Sequence, residues 1–172
     1  GREILAVAED SGFFNKKIND PIICGHSLGG YMSSFAAYQS TKPIKGVIMI
    51  DSPIRPPTYD YSMHKRSGPI RKIKTYADEK TILERFRLTP EQDCNNKYIL
   101  DYIAKWSIKK SNGGYEWKFD DSIFEKLGFS HMTRDIAFTL SCKLGIIYGT
   151  ESKMIADEVL SYMKSSVPNN TP

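Results

Sequence analysis

The amino-acid sequence predicts an α/β fold, a parallel sheet with flanking helices interrupted by a mostly helical insertion. Three features carry that expectation. Residues 21–24 and 45–50 are short apolar runs separated by a helix-compatible stretch without a hairpin turn, an order that calls for a right-handed parallel crossover. From Pro53 onward the texture becomes polar and aromatic, with recurring helical patterns. Near Lys143 the α/β texture returns, with one more apolar run and one more amphipathic segment.

Taken in order, residues 2–14 read as an amphipathic helix with Ile4, Leu5, Val7 and Ala8 on one side. Residues 21–24 suit a buried parallel strand. A second helix, rich in Ala and aromatics, covers 28–40, and the run at 45–50 is a second buried strand ended by Asp51-Ser52-Pro53. Pro53, Pro56 and Pro57 open the insertion, in which 70–76, 81–86 and 97–108 show helical spacing. Asn112-Gly113-Gly114 marks a turn, followed by the alternating residues 115–119. Residues 144–148 read as a strand, 154–163 as an amphipathic helix, and a further strand is expected to start at Val167. The organisation expected is a core in two parts, 1–52 and 141–172, around an insertion at 53–140.

Composition narrows the function classes. With 40% hydrophobic and 26% charged residues the chain reads as a soluble globular protein rather than a disordered one. Its longest apolar runs, such as 46–50, are far too short for stable membrane insertion. Arg2, Glu3, Glu9 and Asp10 interrupt any apolar leader at the N-terminus. Cys24, Cys94 and Cys142 are odd in number, widely spaced and free of a C-x-x-C pairing, so they read as reduced thiols in a cytoplasmic protein without a zinc site. The net charge of +4 arises in the middle of the chain: residues 52–140 hold 16 Lys or Arg against 12 Asp or Glu, and the remainder is balanced. Lys65, Arg66, Arg71, Lys72 and Lys74 cluster there without an intervening acid. No aromatic stacking platform or nucleic-acid motif accompanies them, so they read as a solvated helix face and nucleic acid is not an expected partner.

The chemistry is concentrated in Gly25-His26-Ser27-Leu28-Gly29-Gly30. A serine hydroxyl needs a base within hydrogen-bond reach and a site that stabilises the developing oxyanion. The G-x-S-x-G pattern puts serine on a sharp strand-to-helix turn. Gly25 and Gly29 let strand and helix approach closely, and Gly30 adds room in the first helical turn. The backbone N–H of Leu28 is then free to donate to the oxyanion. The pattern alone is common; an apolar strand before it, an Ala-rich helix after it and another apolar strand beyond make it specific. Ser27 is therefore the expected nucleophile, and His26, pointing elsewhere on so tight a turn, is expected to pack beside the site. No metal or organic cofactor is implied.

On these residues the chain resembles the α/β-hydrolase family. Gly25 to Gly30 form that family's commonest elbow, and Tyr148-Gly149-Thr150-Glu151-Ser152 looks like the turn after its seventh strand. Arg85-Phe86-Arg87-Leu88-Thr89-Pro90-Glu91-Gln92 and Trp117-Lys118-Phe119-Asp120 resemble cap-domain pieces of an uncharacterised, bacterial-looking branch. The resemblance implies that residues 22–25, 45–50 and 144–148 are the fifth, sixth and seventh strands, and that 53–140 is a helical cap. It places the catalytic histidine after an eighth strand, beyond Pro172, so the chain is expected to be partial, inactive alone and prone to aggregate. His64 and His131 fall in or beside the cap and are expected to be surface or cap histidines. The family's usual acid position is Ser152 here; Glu151 stands one residue early, and Asp51 is the other place where relatives keep an acid. Asp51 is the preferred acid, Glu151 the alternative.

The activity implied is a serine hydrolase acting on a carboxylic ester or related small-molecule acyl substrate. Carbon–carbon bond hydrolysis or elimination on the same fold, and a non-catalytic ligand-binding relative, are the alternatives. Tyr59, Tyr61, Trp106 and Trp117 are candidate pocket-lining residues, with packing inside the cap as their other reading.

Overall fold

The computed structural model describes residues 1–15, 20–60, 74–88, 91–120 and 136–166. They fall into two compact units, the first comprising 1–63 and 129–172 and the second 64–128.

The first unit is built on a three-stranded parallel sheet in the order β1-β2-β5, with β1 at Ile22–His26, β2 at Gly46–Ile50 and β5 at Lys143–Ile147. The register aligns Ile23 with Val47 and Leu144, and Gly25 with Met49 and Ile146. These rows form the inward face. Val47, Met49 and Leu144 are buried there with Ile54, Ala137 and Ile155, joined by Val159 and Met163 of α5 (Asp157–Ser166). Helix α2 (Leu28–Gln39) lies on the same face and buries Gly30, Ser33, Ser34 and Ala36. Burying side chains as large as Met49 contributes roughly 1.5–3 kcal/mol each.

The opposite face differs from expectation. Strand β1 is not buried on both sides: Ile22, at 54% exposure, Cys24 and His26 are exposed, as is Ile147 of β5 at 55%. Among the described residues no element packs on this face, and β1 and β5 each have a single ladder partner.

Helix α1 (Arg2–Asp10) is shorter than the 2–14 expected. Gly12 takes φ +72°, Phe13 N–H donates to the Ala8 carbonyl and Gly12 N–H to that of Glu9, the paired bonds that close a helix around a left-handed glycine. Ile4, Leu5 and Ala8 are half-buried, whereas Val7 is exposed. Helix α5 starts three residues later than expected, because Ser152 Oγ accepts from Met154 N–H and holds 152–155 in a turn.

The second unit holds two helices and a hairpin among its described residues. Helix α3 (Glu79–Leu83) is capped by Asp78, whose carboxylate accepts from Thr81 N–H at 2.8 Å. Helix α4 (Lys97–Trp106) ends earlier than expected, since Ile108 opens β3 (Ile108–Ser111), which pairs antiparallel with β4 (Gly114–Trp117) across Asn112-Gly113. The helix expected over 70–76 lies largely outside the described residues. Its described end is not helical: Tyr76 exchanges two 2.8 Å backbone bonds with Tyr115. That pairing requires glycine at 114, where φ is +146° and a Cβ would overlap the Tyr76 carbonyl. Of the basic cluster only Lys74 is described, and it is exposed; Val167 is outside the described residues.

Candidate active site

Ser27 links the end of β1 to the start of α2 with φ 52° and ψ −120°. Its N–H continues the ladder, donating to the Ile50 carbonyl at 2.8 Å, and its own carbonyl accepts from Gly30 N–H at 3.0 Å. A non-glycine residue in this left-handed region costs about 1–2 kcal/mol, so the surroundings must hold it there.

Two glycines make the turn possible. A Cβ on Gly25 would overlap the Gly29 carbonyl and lie 2.5 Å from Ser33 Oγ; one on Gly30 would overlap Ser52 Oγ and lie 2.9 Å from Ser52 Cβ. Gly29 departs from the expectation. Among the described residues nothing lies within 4 Å of a Cβ built there, so strand and helix meet at its peptide group and not at its side-chain position. Leu28, the first residue of α2, carries an N–H that the helix itself cannot use.

Asp51 repeats this arrangement one strand over. It follows β2, takes φ 47° and donates its N–H to the Ile147 carbonyl of β5 at 2.8 Å. Ser27 and Asp51 are the only non-glycine residues at positive φ among those described. Both directly follow residues in register, His26 and Ile50, on strands spaced about 4.8 Å apart. The Asp51 Oδ1 atom is buried and has no hydrogen-bond partner among the described residues. A buried acceptor left in this state costs roughly 1–3 kcal/mol.

Sequence reasoning missed Ser52. It is fully buried, and its hydroxyl reaches the Ser27 carbonyl at 2.8 Å and the Ile50 carbonyl at 3.1 Å. It thereby ties the end of β2 to the Ser27 turn. A small hydroxyl residue straight after a strand-ending acid was the available signal, and it is a weak one. Ser33 Oγ bonds the Gly29 carbonyl at 2.7 Å and steadies the same turn from within α2.

The other candidates are placed less closely. Glu151 is exposed, in the turn after β5 where Ser152 N–H donates to the Gly149 carbonyl at 3.0 Å. His26 is exposed on the open face of β1 with Ile22 and Cys24, instead of packing beside the site. His64, His131 and Tyr61 lie outside the described residues. Tyr59 is half-buried against the sheet core, with the Arg55 guanidinium 5.1 Å from its ring centre. In the second unit Trp117 packs on Phe86 with ring centres 5.9 Å apart, while Trp106 is 61% exposed. All three cysteines are free, and burial raises the Cys142 thiol above its ordinary pKa. Among the described residues no group of His, Cys, Asp and Glu could hold a metal, and no helix is long and apolar enough to cross a membrane.

No protein-family model and no curated protein matches the chain. Solved structures do. A thioesterase domain from the curacin biosynthetic pathway is 19% identical at a TM-score of 0.60, over 93% of this chain and 61% of its own. A putative hydrolase from Rickettsia typhi is 21% identical at 0.62, over 93% and 56%. An esterase from Mycobacterium tuberculosis is 12% identical at 0.60, over 95% and 54%. The chain thus spans between 54% and 61% of the length of these three structures. At such identities the likeness speaks for architecture alone, and there it agrees with the parallel sheet and its flanking helices: the chain has the α/β-hydrolase fold.

Proposed function

We propose that Ser27 is the nucleophile of a serine hydrolase that cleaves a carboxylic ester or related acyl substrate through an acyl-enzyme. The observation that carries this reading is the strained Ser27 backbone between β1 and α2, held by the Ile50, Gly30 and Ser52 contacts. Strain of this kind concentrates at functional sites. Ser27 Oγ attacks the acyl carbon while a histidine outside the described residues takes its proton. The Leu28 N–H donates to the carbonyl oxygen as it becomes an oxyanion, and the histidine returns the proton to the departing alkoxide. Water then repeats the sequence on the acyl-enzyme and frees Ser27.

Asp51 is the acid that orients this histidine. Its buried, unpartnered Oδ1 at the same sheet edge supports the choice, because an imidazole N–H supplies the missing donor. Glu151, exposed in the turn after β5, is the less favoured acid. In the same reading residues 53–140 serve as the cap, supported by the compact unit at 64–128, and the free thiols fit a cytoplasmic protein.

The test is Ser27→Ala in the whole protein that carries this chain. Removing a triad nucleophile lowers turnover of an activated ester by on the order of 10⁴-fold or more. Fluorophosphonate labelling disappears with it. Turnover within about tenfold of the parent would reject Ser27 as the nucleophile.

A further inference from the structure

The second unit contains an open groove of about 760 Å³ whose lining joins two segments far apart in the sequence, Arg85 to Leu88 after α3 and Trp117 to Phe119 at the end of β4. Trp106 and Ser107 close it from the end of α4. Its walls are aromatic, half-buried at Phe86 and Trp117 and exposed at Trp106 and Phe119. Trp106 is 61% and Phe119 55% exposed, and Phe86 packs against Trp117 beside them with the rings tilted by 47°. Aromatic surface of this extent left open to water marks a binding site more often than a packing fault.

Its charges are of one sign. Arg85, Arg87 and Lys118 all line the groove, and no carboxylate does among the described residues. Two of these cations are positioned by backbone carbonyls and not by acids. Arg87 Nη1 bonds the Glu84 and Phe86 carbonyls at 3.0 and 2.6 Å. Lys118 Nζ bonds the Trp106 carbonyl at 2.8 Å and sits 5.9 Å from the Trp106 ring centre. A carbonyl fixes a cation's position without neutralising its charge, so among the described residues the groove lining carries positive charge beside an aromatic wall. The two sequence pieces singled out beside the elbow, around Arg85 and around Trp117, are the ones brought together here.

We propose that this groove binds a small amphiphilic anion: a carboxylate or phosphate on an aliphatic or aromatic body, its charge met by Arg85, Arg87 and Lys118 and its body laid on Trp106, Trp117 and Phe86. Planar guanidinium groups suit such oxyanions, and the aromatic rings suit what carries them. The inference stands independently of the chemistry assigned to Ser27.

The two tryptophans of the chain are Trp106 and Trp117, so tryptophan emission is a local reporter of the groove. The full chain is titrated below micellar concentration with decanoate, with decanol as the uncharged analogue and with acetate as the bare anion. Decanoate shifts the emission saturably, and decanol binds at least about tenfold more weakly, as expected for the loss of a charge-assisted contact. Acetate gives no saturable shift. The exposed Arg85→Gln change weakens decanoate about tenfold and leaves decanol within about twofold, with the circular dichroism spectrum unchanged. Phe86→Leu weakens both ligands. Equal affinity for decanoate and decanol, no effect of Arg85→Gln, or no saturable response to decanoate would each overturn the proposal.

Discussion

Replacing Gly30 by alanine isolates the packing that holds the Ser27 turn. On helix propensity alone the change favours folding, since alanine in a helix is about 1 kcal/mol better than glycine. At this position the new methyl group would overlap Ser52 Oγ and stand 2.9 Å from Ser52 Cβ, against an ordinary carbon–carbon contact of about 3.5–4.0 Å. Ser52 cannot swing aside freely, because it is fully buried and its hydroxyl is bound to the Ser27 and Ile50 carbonyls. Overpacking a core of this kind costs about 1–3 kcal/mol, and losing the Ser52 bond adds about 1 kcal/mol. After the helix gain is subtracted, Gly30→Ala is expected to destabilise by about 2 kcal/mol. In a Ser52→Gly background the overlapping atoms are gone. There the same change is expected to be neutral or slightly stabilising, limited by the Gly25 carbonyl at 3.1 Å from the new Cβ. The double-mutant cycle should therefore show a coupling of about 2 kcal/mol. Urea unfolding followed by far-UV circular dichroism measures it, and equal slopes in the four variants keep the comparison valid. Additivity within about 0.5 kcal/mol would refute the contact between Gly30 and Ser52 as the reason for glycine here.

Two further outcomes test other parts of the molecule. In the whole protein, Asp51→Asn should lower ester turnover by about 10⁴-fold, as expected when a triad acid is lost, while Glu151→Gln leaves it essentially unchanged; the reverse pattern transfers the acid's role to Glu151. In this chain, iodoacetamide at pH 8 should alkylate the exposed Cys24 before the half-buried Cys142, whose burial raises its pKa and lowers its thiolate fraction, and peptide mass spectrometry showing Cys142 modified as fast as Cys24 would contradict that shielding.

The parts of the fold legible in the sequence are those governed by short-range rules. The runs at 21–24, 45–50 and 144–148 locate the strands Ile22–His26, Gly46–Ile50 and Lys143–Ile147 to within one or two residues, because a strand needs only a few adjacent apolar residues. Gly25 and Ser27 are legible because the turn they serve is local. Errors collect where a distant partner decides. Ile108 fits the apolar period of α4 equally well, but its pairing with Trp117 places it in β3. Tyr76 continues a helical pattern, yet Tyr115, far along the chain, draws it into a bridge. Ser52 carries no pattern of its own: its role exists only because the end of β2 meets the first turn of α2. Gly29 shows the opposite fault, a residue singled out by the motif whose side-chain position faces open space.

The proposal that Asp51 rather than Glu151 serves as the acid draws its support from the energetics of the sheet edge. Two non-glycine residues at positive φ, at about 1–2 kcal/mol each, and one buried unpaired carboxylate oxygen, at about 1–3 kcal/mol, are concentrated at the ends of β1 and β2. Against a typical total stability of about 5–15 kcal/mol this is a large local burden. The ladder bonds from Ser27 to Ile50 and from Asp51 to Ile147 hold the strained backbones, and Ser52 adds a third tie, but none of them gives Asp51 Oδ1 a donor. A solvated carboxylate at the same point would carry no such penalty. In the proposed reading the buried Oδ1 of the half-buried Asp51 is where the histidine N–H would donate, since a protonated imidazole nitrogen has the chemistry that this acceptor lacks among the described residues. Glu151, exposed to solvent after β5, loses nothing by lacking a partner and is under no comparable constraint.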